Sequence, residues 1–154
     1  MKLLSIAFAA VIAGSAVMAD TTILLTRHGD RDTLAEDLNA KGRARAAALS
    51  AAVAEFDIAA IYSPDKQRNL DTAAPLSQQR GIAVTILDPL AAADILRSAH
   101  PDRAVIWIGN TDNLEKIFAE LGGTGAPPEF YGDIYVLTLT SAGETSVEKR
   151  HYGR

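Results

Sequence analysis

The alternation of two hydrophobic periods constrains this chain most. Four short apolar runs have the length of strands: "TTILLT" at 21–26, "IAAIYS" at 58–63, "IAVTIL" at 82–87 and "RAVIWIG" at 103–109. Between and after them, the stretches at 38–56, 63–81, 89–100 and 112–123 carry apolar residues at helical spacing. Strands that alternate with helices form a largely parallel sheet covered on both faces, so the expected fold is α/β, a three-layer αβα sandwich with a mainly parallel central sheet. The first helix has Asn39 as its N-cap. The second is expected to start with Ser63 as N-cap, Pro64 in the first turn and Asp65 facing the dipole, and to stop at Gly81. "DIYVLTLT" and "TSVEKRHY", joined by "SAGE", read as a closing hairpin.

The N-terminus has a different character. Lys2, the apolar run "LLSIAFAAVIAGSAV" and small residues at Val17 and Ala19 have the three-part organisation of a secretory signal peptide, cleaved after Ala19. The expectation is a signal peptide at 1–19, one domain at 20–154, a periplasmic or secreted location and no membrane span after cleavage. The 135 residues that remain suit a single core. They carry 14 basic and 19 acidic residues, a balance that argues against general nucleic-acid affinity. The chain has no cysteine, which excludes disulfides, thiolate catalysis and cysteine-ligated zinc.

In a parallel sheet, ligands bind beyond the carboxyl ends of the strands, and the unusual residues fall there. Arg27, His28, Gly29 and Asp30 follow the first strand, Ser63 to Arg68 the second and Gly109 to Asn113 the fourth. A strand end crowded with charge costs stability unless something is bound. "LLTRHGD", "LNAKGRARAAAL" and "IYSPDKQRNLDTAAPL", in that order and spacing, resemble three successive signatures of the histidine phosphatase superfamily, which includes the phosphoglycerate mutases. "IWIGNTDNLEKIFAELGG" lines up with the later strand, turn and helix of that family.

The resemblance implies a phosphatase in which His28 becomes a transient phosphohistidine that water hydrolyses, with no cofactor. Its substrate would be a phosphorylated small molecule or a phosphoprotein. Transferring a phosphoryl group requires fixed cations and N–H donors around an in-line nucleophile, and Arg27 and Arg68 can supply planar, bidentate donor sets. The chain departs from the family where a second histidine usually follows the fourth strand, because Asn110 stands there. An asparagine donates a hydrogen bond but carries no charge, so turnover should be slow, or the protein should bind phosphate without hydrolysing it. The proton donor is open among Asp30, Asp94 and Asp112, with Asp30 the easiest to place near the nucleophile. Arg31, Arg43 and Lys66 read as surface charges. A competing reading takes His28, Asp30 and Asp32 as metal ligands, although the flanking arginines would repel a cation.

Overall fold

The structure, a computed structural model, describes residues 19–154. The signal-peptide reading therefore lies almost wholly outside the described residues. β1 (Thr21–Arg27), β2 (Ile58–Ser63), β3 (Val84–Ile86), β4 (Ala104–Gly109), β5 (Asp133–Leu139) and β6 (Thr145–His151) form one sheet in the order β3-β2-β4-β1-β5-β6. The β3/β2, β2/β4 and β4/β1 pairs are parallel; β5 joins β1 antiparallel and β6 joins β5 antiparallel as the expected hairpin.

The period-2 pattern of β1 shows how the core divides. Ile23 and Leu25 face one side, where they meet α3 (Ala92–Ser98) and α4 (Thr111–Glu120) through Leu96, Leu114 and Ile117. Leu24 faces the other side and packs with Leu49 of α1 (Ala40–Ala52) and Leu76 of α2 (Gln67–Arg80). All of these side chains are fully buried, and truncating any of them to alanine would cost about 2–5 kcal/mol. Helices thus cover both faces, which gives the three layers.

Asn39 caps α1 as its sequence suggests, with its side-chain oxygen accepting from the Gly42 N–H. The start of α2 differs from expectation. Ser63 ends β2 and its hydroxyl donates to the Pro64 carbonyl, while the helix begins at Gln67 after Lys66. Three further residues, Pro64 to Lys66, complete the turn from sheet to helix, which moves Arg68 into the first turn. α2 ends at Gly81, whose φ of 66° closes it in the left-handed conformation.

The strand order brings the carboxyl ends of β2, β4 and β1 side by side. β4 lies between β1 and β2, although two strands and three helices separate it from β1 in sequence. The three segments picked out by their unusual residues therefore share one edge of the sheet.

Candidate active site

His28 is the first residue beyond β1. Its backbone N–H continues the ladder by donating to the Gly109 carbonyl at the end of β4, 3.0 Å away. The residue is 2% exposed, and Nδ1 sits 2.7 Å from the Gly29 carbonyl. A carbonyl only accepts, so this contact fixes the proton on Nδ1 and leaves the Nε2 lone pair free. Burial, more than any charge, lowers the pKa of His28 from 6.5 to about 4, and Arg27, Arg68 and Arg31 push in the same direction.

The loop that carries His28 is held from two helices. The Gly29 N–H donates to Thr72 Oγ1 at 2.8 Å, and that hydroxyl donates back to the Arg68 carbonyl at 2.7 Å. Thr72 therefore links the nucleophile loop to the turn that bears Arg68. On the other side the loop presses against α1, where a Cβ on Gly29 would lie 2.7 Å from the Gly42 carbonyl and a Cβ on Gly42 would collide with the Asp30 carbonyl. Glycine is required at both positions because backbone meets backbone.

Two guanidinium groups flank the histidine. Arg27 donates to the Glu129 carbonyl at 2.9 Å, and its guanidinium lies 4.0 Å from the centre of the Tyr131 ring, which also meets the His28 ring edge-on at 5.6 Å between centroids. The Nε of Arg27 is buried without a partner. Arg68 donates from Nε to Asn110 Oδ1 at 3.2 Å and from NH1 to Glu36 Oε2 at 2.9 Å. Because Asn110 accepts with its oxygen, its amide N–H groups are left to donate. Asn110 is in turn fixed as the N-cap of α4: its backbone N–H donates to Asn113 Oδ1, which also accepts from Trp107 Nε1. A side chain at Gly109 would collide with that bond.

His28, Arg27, Arg68 and Asn110 are thus brought to one place, while Asp30 has another role. Its carboxylate accepts from Arg45 Nε at 2.6 Å and lies 3.5 Å from Lys41 Nζ. Desolvation raises the pKa of Asp30, but the Arg45 hydrogen bond and charge outweigh it and hold the carboxyl below its ordinary value. A carboxylate held ionised against a buried arginine is a structural strut, so Asp30 does not serve as proton donor. Asp94 is exposed on α3 and Asp112 is exposed in the first turn of α4; neither forms a hydrogen bond to the histidine. The metal reading fails on the same geometry, because Asp32 accepts from the Asn39 amide and Asp30 is held by Arg45. No group of three potential ligands gathers among the described residues.

Sequence reasoning missed Tyr131 and Glu36. Tyr131 lies in the irregular stretch 122–132 between α4 and β5, and nothing local marks this tyrosine. Glu36 lies eight residues beyond His28 in a charged loop, and its partner Arg68 is 32 residues further on.

A buried imidazole with one free nitrogen thus stands with two arginines and an amide donor at the carboxyl edge of an α/β sheet. A profile of the histidine phosphatase superfamily (branch 1) matches residues 23–102, and the chain belongs to that superfamily. Among solved structures, the protein histidine phosphatase SixA complexed with tungstate is 16% identical with a TM-score of 0.71, covering 85% of this chain and 97% of that one. Bacillus stearothermophilus YhfR is 20% identical with a TM-score of 0.69, covering 82% and 95%. The mycobacterial glucosyl-3-phosphoglycerate phosphatase is 14% identical with a TM-score of 0.64, covering 87% and 99%. These similarities establish the shared fold. No curated protein matches the chain in sequence.

Proposed function

We propose that the protein is an exported phosphatase that works through His28. The observation that carries this reading is the pairing of a free Nε2 on a buried, neutral His28 with the buried and unpartnered Nε of Arg27 beside it. A buried donor with no partner costs stability, and an anion would satisfy it. Nε2 attacks phosphorus, the P–N bond forms as the bond to the leaving oxygen or nitrogen breaks, and Arg27, Arg68 and the Asn110 amide hold the equatorial oxygens. Water then attacks phosphorus, which releases inorganic phosphate and restores the imidazole.

With a neutral amide at position 110 the reaction is slow, and with none of Asp30, Asp94 and Asp112 placed as proton donor it favours leaving groups that depart without protonation. Aryl phosphates and phosphohistidine are of this kind. Export rests on the character of residues 1–19. The test is hydrolysis of p-nitrophenyl phosphate by the wild type and by His28→Ala, together with a chemical search for acid-labile phosphate on the protein. Wild-type turnover that exceeds His28→Ala supports the reading. Equal rates would leave a phosphate-binding protein, for which Asn110 in place of a charged donor is the favouring observation.

A further inference from the structure

Arg68, one of the two cations of the site, is already paired with a carboxylate. Glu36 Oε2 accepts from Arg68 NH1 at 2.9 Å, while Arg68 Nε is held by Asn110. A guanidinium has five N–H groups, so these two contacts leave three for a phosphoryl group, and ligand and Glu36 can share Arg68. The loop that carries Glu36 is clamped. The Asn39 N–H donates to the Asp30 carbonyl and the Asn39 amide to Asp32, which closes the base. Arg31 donates to the Ala35 carbonyl and Arg43 to the Leu38 carbonyl, so the backbone is fastened on both sides of Glu36. At Leu34 the backbone adopts a φ of 65°, in the left-handed region.

Glu36 is therefore a fixed negative charge at the mouth of an anion site, and its side chain is 66% exposed to whatever the phosphoryl group is attached to. We infer that Glu36 determines specificity: it selects phosphorylated ligands whose remaining part is cationic or neutral and rejects those with a second anion. The inference rests on the phosphoryl site proposed above and names the class of group that site accepts. A carboxylate or second phosphate beside the phosphoryl group would face Glu36 at close range, and an ammonium, imidazolium or guanidinium would pair with it.

Two ligands of similar size separate the cases. O-phosphoethanolamine places an ammonium beside the phosphate and phosphoglycolate places a carboxylate there. Calorimetric titration of the full domain should show tighter binding of O-phosphoethanolamine by the wild type. Glu36→Gln should shrink that preference by at least about fivefold, which corresponds to ~1 kcal/mol, the Coulomb energy of unit charges about 4 Å apart at water-like screening. Glu36→Lys should reverse it. Equal wild-type affinities, or a preference that survives in Glu36→Gln, would overturn the inference. Because the readout is binding, it stands apart from turnover: a Glu36-dependent preference in a chain that hydrolyses nothing would sustain the inference while the phosphatase reading falls. If the wild type bound neither these ligands nor inorganic phosphate, both would fall together.

Discussion

Arg68 Nε and Asn110 Oδ1 are 3.2 Å apart, and this bond ties the first turn of α2 to the N-cap of α4 across the end of β4. The amide thus orients the Arg68 guanidinium as well as offering a donor. Asn110→Ala should loosen Arg68 and weaken vanadate binding. Asn110→His can keep the bond to Arg68 through one ring nitrogen and donate from the other. Its rate on aryl phosphates should rise, by at most about 10²–10³, the usual worth of one preorganised donor. An unchanged rate, with His28→Ala inactive, would remove Asn110 from the phosphoryl-binding set.

The low pKa of His28 sets a pH window. Because the group titrates at about 4 in the folded protein, the nucleophile should stay neutral through mildly acidic conditions, and any acid loss of activity due to His28 should be centred near pH 4. An NMR titration of the ring resonances would locate the midpoint. Stability follows with a definite sign: between about 6.5 and 4 the unfolded chain takes up the proton that the folded chain refuses, so His28 lowers stability as pH falls through that interval. His28→Ala should flatten this part of the stability curve.

Asp30 should behave as a strut. Asp30→Asn leaves Arg45 buried without its counter-charge, and losing one partner of such a pair costs about 3–5 kcal/mol. Thermal denaturation should show a large drop in midpoint. The pH–rate profile of the protein that remains folded should keep its shape, and loss of the limb that reports a proton donor would restore Asp30 to that role.

The crossing of Gly29 and Gly42 can be tested directly. Gly42→Ala lies within a helix, where alanine is intrinsically favoured by about 1 kcal/mol, yet it should destabilise the protein because its Cβ would meet the Asp30 backbone. Overpacking of this kind costs about 1–3 kcal/mol. Since the displaced backbone adjoins His28, activity should fall as well. A stabilised Gly42→Ala variant would show that the contact yields easily.

Much of this was legible because it is local. The strand-length runs gave the sheet, the helical spacing gave both covering layers, and Arg27, His28, Arg68 and Asn110 stood out as polar residues at strand ends. The remainder is relational. Asp30 is equally acidic in sequence whether it donates protons or pairs with a buried arginine, and nothing local distinguishes Arg45 from the other basic residues of its Ala-rich helix. Glu36 met Arg68, and Tyr131 met Arg27, across sequence separations that no local period spans. The Ser63-Pro64-Asp65 sequence imitates a helix start, but the chain needs those residues to turn off the sheet before α2 can begin.

The His28 amide is hydrogen-bonded to Gly109, within the innermost part of the sheet, where β1 and β4 are flanked by other strands. Its hydrogen should therefore exchange with solvent only when the whole domain opens, at the rate of the slowest amides of β1 and β4. Catalytic groups on mobile loops must be ordered anew at each encounter. Here the backbone beneath the His28 ring is part of the central sheet, so any adaptation to different ligands falls to the segment that carries Tyr131.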